Sequence, residues 1–189
     1  MATTTKHTSE NRVEIRAFLE KIVIDAGLGR ASQQPNFEDK ILVQVQRDLA
    51  AMTGQKPQTR AASKSIAGFK IREGQIVGVK ITLRRARMVD FFERLIRIVL
   101  PRVRDFRGLE ITNVDKGGVL NVGIKEHAVF SEILPEHSPH VFSLGISIVP
   151  KKKDQAAALE MYRHLGVPLK KEGAPSGKSA SGKSKKAKK

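Results

Sequence analysis

The sequence predicts an α+β domain of two layers, with helices packed on one face of a mainly antiparallel sheet, followed by a basic disordered C-terminal tail. Apolar residues repeat at helical spacing in some segments and alternate with polar residues in others. Turns containing glycine or proline separate the alternating segments, as in hairpin-connected strands. Short, half-buried strands joined in this way favour an antiparallel sheet that is covered on one side.

The chain is expected to have a short polar N-terminal segment over 1–18, a single domain over 19–171 and a Lys-rich tail over 172–189. Its 189 residues, 40 % of them hydrophobic, can fill one core of ordinary domain size. The first dozen residues are polar and are expected to be loose. The tail has no apolar side chain larger than proline, which predicts disorder when it is alone.

The first half of the domain is predicted to hold one strand and one helix. The strand, Glu20 to Gly29, places Ile22 and Ile24 on one face and runs into a glycine loop. The helix extends from Asn36, its expected N-cap, to Thr53, and Gly54 can end it. Its apolar stripe consists of Phe37, Ile41, Leu42, Val45, Leu49 and Met52.

A hairpin and a second helix are expected next. The hairpin strands are Ala67–Arg72 and Ile76–Arg84, and the helix extends from about Met88 to Leu100, where Pro101 marks its end. The spacing also predicts i,i+4 ion pairs on the exposed side of this helix, namely Asp90/Arg94 and Glu93/Arg97.

The last elements return to strands before a final helix. "LEITNV" and "VLNVGIKE" flank the turn "DKGG" and predict a hairpin, and Val141–Val149 shows the clearest alternation in the chain. Asp154 can cap a helix that ends near Leu165.

Positive charge is concentrated in two parts of the chain. The net charge is +16, and residues 56–107 hold 14 Lys and Arg against 4 acids, while the last 20 residues hold 8 Lys against Glu172. The other 117 residues hold 13 basic and 14 acidic side chains. Such clustering is typical of proteins that bind polyanions, nucleic acid above all.

The middle segment contains cations with few acidic neighbours. They are Lys56, Arg60, Lys64, Lys70, Arg72, Lys80, Arg84, Arg85 and Arg87. Aromatic residues make up only 5 % of the chain, so base stacking is not expected to dominate. The pattern favours recognition of folded RNA through its backbone and shape. No recognition helix in a helix-turn-helix context is found, so duplex DNA is not the expected partner.

Motifs for other functions are weak. "GKSASGKS" at 177–184 matches a phosphate-binding loop formally but lacks the strand and helix that such a loop needs, and Gly27 and Gly29 lack a third glycine. His137 and His140 are three apart in a proline-containing loop rather than on a helix, which differs from the histidine pair of metalloproteases. No nucleophile–base pair can be nominated, and cysteine is absent. A non-enzyme without cofactor or metal is expected. Neither a membrane span nor a secretory signal is expected, and the absence of cysteine fits a cytoplasmic protein.

A resemblance to a known family rests on two long blocks, "TGQKPQTRAASKSIAGFKIREGQIVGVKITLRRARM" and "FFERLIRIVLPRVRDFRGL". "LEKIVIDAGLG" upstream and "LNVGIKEHAVFSEI" downstream continue it. Over roughly 19–171 the chain resembles the bacterial large-subunit ribosomal protein, universal family five, that binds 5S ribosomal RNA (5S rRNA). The resemblance implies a structural RNA-binding protein that anchors 5S rRNA in the central protuberance and is in contact with large-subunit ribosomal RNA and neighbouring proteins there.

The resemblance also implies individual contacts. Gln55 and Thr82 match polar side chains credited with 5S rRNA contacts, and Asp25 stands where the family usually has asparagine, which puts that contact in doubt because an ionised carboxylate only accepts hydrogen bonds. The cations grouped with them as the expected 5S rRNA-binding set are Lys56, Arg60, Lys64, Lys80, Arg84 and Arg85.

A hairpin tip that touches the transfer RNA of the peptidyl site (P-site tRNA) would comprise Arg72, Glu73, Gly74, Gln75 and Ile76. The family's bridge to a head protein of the small subunit would fall near 111–118 and 131–141. Family members usually begin with a helix, which is expected to be short or missing here, and the Lys-rich tail extends beyond their usual end.

Overall fold

The sheet has five strands, and every neighbouring pair is antiparallel. The computed structural model describes residues 3–170, and the expected tail lies outside them. The strands are β1 (Leu19–Gly27), β2 (Gln58–Ala61), β3 (Ile76–Leu83), β4 (Leu120–Ile124) and β5 (Leu144–Pro150), in the spatial order β2-β3-β1-β5-β4. This arrangement confirms the predicted α+β class.

Five α-helices accompany the sheet within the described residues. They are α1 (Thr3–Phe18), α2 (Val43–Thr53), α3 (Arg85–Arg94), α4 (Leu100–Arg102) and α5 (Gln155–His164). A π-helical segment, Phe37–Leu42, leads into α2, and another, Leu95–Val99, joins α3 to α4. No helix in the described part of the chain is long and apolar enough to cross a membrane.

The core lies between the helices and one face of the sheet. Alternate residues of the three central strands are buried there, as Ile24, Ile81 and Ile146 illustrate with 1–2 % exposure. All six residues of the predicted stripe ahead of and within α2 are buried as well. Tyr162 of α5 fixes this helix to the sheet, since its hydroxyl lies within hydrogen-bonding distance of the carbonyl oxygens of Gly118, at 3.0 Å, and Ile148, at 3.2 Å.

The expectation of a loose N-terminus with little or no helix is wrong. Helix α1 packs on α3 and buries Ile15, and Arg12 binds the Asp90 carboxylate and lies 3.7 Å from that of Glu93. Few apolar residues of this helix contact the domain, so its sequence shows no apolar stripe. Its attachment depends also on ion pairs to acids that are distant in the sequence. These pairs replace the expected i,i+4 partners, and Arg94 binds Glu132 instead.

The predicted partner of β3 is also wrong. Residues 67–69 form a 3-10 turn, and β2 takes the place of the expected strand beside β3. All four residues of β2 are exposed, so no hydrophobic alternation marks this edge strand in the sequence. The segment "LEITNV" likewise forms no strand: it contains a 3-10 turn at Ile111–Asn113, and a single bridge joins Val114 to Leu120.

Three residues predicted to cap or end a helix agree with the structure, and Asn36 does not. Gly54 adopts φ of 66° and closes α2, Asp154 accepts a hydrogen bond from the Ala156 N–H at 3.1 Å, and Pro101 lies within one residue of the end of α4. Asn36 is not the expected side-chain cap, because it takes a left-handed conformation with φ of 61° and makes no capping bond.

Candidate nucleic-acid interface

The face of the sheet opposite the helices is open and polar. Because side chains alternate along a strand, the residues that flank the buried ones point to this open face. They include Lys21, Val23 and Asp25 of β1, Gly78, Lys80 and Thr82 of β3, Gly145, Ser147 and Val149 of β5, and Asn121 and Gly123 of β4. None is aromatic, so the open face offers hydrogen-bonding groups and bare backbone rather than stacking platforms.

One row of the open face crosses all five strands. The strand registers place Gln58, Lys80, Asp25, Gly145 and Gly123 side by side. Asp25 leans over β5, since a Cβ atom added to Gly145 would lie 2.9 Å from its carboxylate oxygens. Neither Asp25 nor Lys80 forms an ion pair within 4.0 Å with another residue of the described chain. Both charges therefore remain available to an external partner.

The structure brings most of the predicted 5S rRNA set to one edge of the sheet. Arg60 lies opposite Gly78 on the edge strand β2, beside the row that contains Lys80. Gln55 follows α2, and its side-chain amide donates to the Thr82 carbonyl oxygen at 3.3 Å, which joins the end of α2 to β3. Lys56, next in the chain, is exposed.

Three predicted cations lie outside the strands of the sheet. Arg84 and Arg85 are exposed at the start of α3, where Arg84 lies 3.9 Å from the Glu20 carboxylate and Arg85 adopts φ of 56°. Lys64 is exposed in the segment 62–75, which joins β2 to β3 and is called the connecting loop below.

The connecting loop has a defined internal structure. Ile66 and Ile71 exchange backbone hydrogen bonds at 2.9 and 3.2 Å, which places the turn at 67–70 at its far end. Phe69, which falls within the predicted strand Ala67–Arg72, is 68 % exposed there. The predicted tip, 72–76, is instead a second turn, with φ of 81° at Gly74, close to the start of β3.

Gln75 anchors the connecting loop. Its amide nitrogen donates to the backbone oxygen of Ser32 at 3.1 Å and contacts the Ser32 hydroxyl at 3.0 Å, while its side-chain oxygen accepts from the Arg72 N–H at 3.0 Å. Arg72, Glu73 and Gly74 are exposed beside it. The five residues predicted to touch P-site tRNA thus divide into an exposed turn and a half-buried anchor, Gln75 with Ile76.

A buried polar cluster missed by the sequence reasoning holds the loop 131–141 against α2. Asp48 accepts hydrogen bonds from Ser138 at 2.7 Å and Gln44 at 3.3 Å, and its carboxylate lies 3.8 Å from Nε2 of His127. Each member lies on an otherwise apolar or loop segment, and no spacing in the sequence connects them.

His127 is the most perturbed member of this cluster. It is 1 % exposed and stacks on Phe142 with ring centroids 4.1 Å apart. Burial lowers the pKa of His127 below its ordinary value of 6.5, although the nearby Asp48 carboxylate acts in the opposite direction. The neutral ring is therefore favoured in the folded protein, and its Nε2 atom has no hydrogen-bond partner among the described residues.

Together these features define a class of protein: a binder of nucleic acid that presents a polar sheet face and exposed cations at the rim of that face. Comparison with known proteins defines the class further. Residues 16–72 match the family model described as "Ribosomal protein L5", and residues 76–169 match the model that describes the C-terminus of the same ribosomal family.

Individual relatives agree with the family models. The chain is 44 % identical over 153 residues to the large ribosomal subunit protein uL5 of Chlorobaculum tepidum, covering 81 % of each chain. It is 46 % identical over 152 residues to the uL5 protein of Rubrobacter xylanophilus, covering 80 % of this chain and 82 % of the relative. The chain belongs to the ribosomal protein L5 family. It is a structural constituent of the large ribosomal subunit and not an enzyme.

Proposed function

We propose that the part of the open face formed by β1 and β3, together with the β2–β3 edge, binds 5S rRNA and anchors it in the large subunit. The observation that carries this proposal is the row through Lys80 and Asp25, in which a cation and an acceptor lie on the open face without an ion-pair partner among the described residues. A lysine can hold a phosphate, a carboxylate can accept from a ribose 2′-hydroxyl or a base amino group, and glycine permits close approach.

We also propose that the connecting loop contacts P-site tRNA. Its exposed positions, including Arg72 and Glu73, project from the sheet edge while Gln75 ties the loop base to Ser32. We further propose that the segments 111–118 and 131–141 meet a head protein of the small subunit. Leu134 and Val141, which are 61 % and 66 % exposed, supply apolar surface for such a protein contact.

Binding of the full chain to its cognate 5S rRNA tests the anchoring role. Replacing Arg60 and Lys80 by glutamine should lower affinity and reduce the slope of log K against log salt by about one for each lost phosphate contact. Lys152→Gln with Lys153→Gln is the matched control. These exposed lysines follow the end of β5, whereas Gly145, near its start, lies beside Asp25. Equal behaviour of the two double variants would refute the anchoring role of the open face.

The tRNA role needs a separate measurement on assembled ribosomes. Arg72→Ala combined with Gln75→Ala should leave 5S rRNA binding near normal and weaken occupancy of the peptidyl site by tRNA. Gln75→Ala alone distinguishes the anchor from the contact, since it removes the hydrogen bonds to Ser32 and keeps the arginine. An equal loss of 5S rRNA and tRNA binding would show that the loop is not a distinct contact.

A further inference from the structure

A second group of cations lies at the opposite edge of the sheet. Residues 102–108, here called the arginine loop, connect α4 to the segment before β4 and carry Arg102, Arg104 and Arg107. All three are exposed, and none forms an ion pair within 4.0 Å with another residue in the range 3–170. Arg104 and Arg107 line a cleft of about 450 Å³ whose other wall includes Val122, Gly123 and Ile124 of β4.

The backbone of the arginine loop is fixed. Leu109 donates to the Pro168 carbonyl oxygen and Lys170 donates to the Leu109 carbonyl oxygen, both at 2.8 Å, so the last described segment clamps the loop from behind. Gly108 adopts φ of 93°, and a Cβ atom there would lie 3.0 Å from the Pro168 oxygen. Arginines on such a support lose little backbone freedom when they bind, which favours a preformed site.

The charges around the cleft favour an anionic partner. Asp105, Glu110 and Glu126 are the acids near the loop, and Glu110 is already engaged by Lys170 at 3.5 Å. Lys125, exposed at the end of β4, adds a further cation to a neighbouring cleft that Arg104 also lines. Arginine presents a planar fork that suits phosphate oxygens.

Lys21 of β1 is the one cation at the open-face positions of the strands between the two edges, and its register with Val149 places it four residues along β1 from the row through Lys80 and Asp25. Between β3 and β4 lie β1 and β5, a span of three strand spacings or about 14 Å. The open-face positions of β5 and β4 are Gly145, Ser147, Val149, Asn121 and Gly123. No continuous positive track therefore joins Lys80 to the arginine loop.

We propose that the arginine loop binds the sugar–phosphate backbone of large-subunit ribosomal RNA, at a site separate from the one that holds 5S rRNA. The inference rests on the proposed function, because it assigns 5S rRNA to the β2–β3 edge. Exposed Gly123 contributes to the same site, since a Cβ atom there would have no neighbour within 4 Å and a ribose–phosphate chain can approach the strand closely.

The test uses the full chain, alone and in complex with 5S rRNA, titrated with large-subunit rRNA of the same organism. Arg104→Gln with Arg107→Gln should weaken binding to the large-subunit rRNA and reduce its salt slope by about two, with 5S rRNA affinity unchanged. The corresponding lysine pair, Arg104→Lys with Arg107→Lys, should retain most of the salt slope, and the control pair Lys152→Gln with Lys153→Gln should change neither affinity. Thermal unfolding of each variant confirms that the loop still folds.

Two results would overturn the assignment. If the glutamine variant binds large-subunit rRNA with unchanged affinity and salt slope, the arginine loop is not part of the RNA interface. The loop would then be a candidate contact for a protein. An equal fall in 5S rRNA affinity would show one continuous site in place of two. Failure of the proposed function itself is recognised separately, because the Arg60 and Lys80 variant would then bind 5S rRNA like the wild type.

Discussion

Asp25 is an acid placed among groups that otherwise favour RNA. Its carboxylate lies between Lys80 on β3 and Gly145 on β5, and it is exposed on the open face. An ionised carboxylate accepts hydrogen bonds but repels phosphate, so it can stay in an RNA interface only where a donor meets it. The cross-strand Lys80 reduces the repulsion without forming a close ion pair.

Asp25→Asn therefore tests whether the carboxylate favours or opposes RNA binding. Since the proposed contact uses the carboxylate as an acceptor, the variant should bind 5S rRNA several-fold more weakly, because an amide has one acceptor oxygen in place of two and no charge. Glu160→Gln on the exposed side of α5 controls for the change in net charge alone. A gain of affinity in filter binding at fixed salt would instead show that Asp25 faces phosphate, because the variant removes one repulsive charge and adds an amide donor.

His127 links pH to the stability of the fold. Burial lowers its pKa in the folded protein below the unfolded value of about 6.5, so the unfolded chain takes up more protons as the pH falls. The stabilising contribution of the neutral ring is complete above pH 6.5 and is lost progressively as the pH falls below that value.

The pH prediction is measured as the free energy of unfolding in urea between pH 7.5 and pH 5.5. The wild type should lose stability over this window, and His127→Phe, which preserves stacking on Phe142, should lose less. His164→Phe is the control, because that histidine is exposed and pairs with Glu14 at 3.2 Å. A wild type that gains stability on acidification would mean that attraction to Asp48 outweighs burial and that His127 is charged.

At the scale of elements, the central strand pairing depends on glycine at one position. A Cβ atom on Gly78 of β3 would lie 2.9 Å from the Ala26 carbonyl oxygen of β1, a contact that requires the backbone to shift. Gly78→Ala should therefore lower the free energy of unfolding by about 1–3 kcal/mol.

Gly123→Ala in β4 is the comparison, since nothing lies within 4 Å of its added Cβ atom. It should be neutral or stabilise by about 0.5 kcal/mol through reduced freedom of the unfolded chain. Chemical denaturation of both variants gives the difference directly, and equal stabilities would show that β1 and β3 can move apart at no cost.

Elements with a buried face could be predicted from the sequence, and those without one could not. β1, β3 and β5 alternate apolar and polar residues because the core takes every second side chain, and their positions were confirmed within a few residues. β2 is exposed throughout, and α1 is attached to α3 by Arg12 and by the buried Ile15. Both elements are stabilised by contacts with residues distant in the sequence, so the local hydrophobic pattern does not predict them.

The candidate site was predictable in composition more than in geometry. The count of unbalanced cations found the region of Arg60 and Lys80, yet only the strand register shows that Lys80 and Asp25 lie in one row. No sequence pattern indicates the hydrogen bonds from Gln75 to Ser32 or the buried cluster around Asp48. These contacts join residues 43 and 90 positions apart, which no periodicity connects.

At the scale of the whole molecule, stability and RNA binding depend on different groups of residues. The helices and the core face supply stability, whereas the open face, the connecting loop and the arginine loop offer exposed cations. Substitutions in the second group should alter RNA binding with little change in unfolding, because their side chains contribute little to the buried cluster. The proposed RNA contacts can therefore be tested without unfolding the domain.

The Lys-rich segment 172–189 is expected to contribute to RNA binding and not to the stability of the domain. It contains six lysines and one glutamate and no apolar side chain larger than proline, so its deletion should leave the free energy of unfolding unchanged. Each lysine that neutralises a phosphate releases counterions, and deletion should weaken rRNA binding and reduce the salt slope by up to about four. A variant with all six lysines replaced by glutamine separates charge from length: it should behave like the deletion, and wild-type binding by that variant would exclude an electrostatic role for the segment.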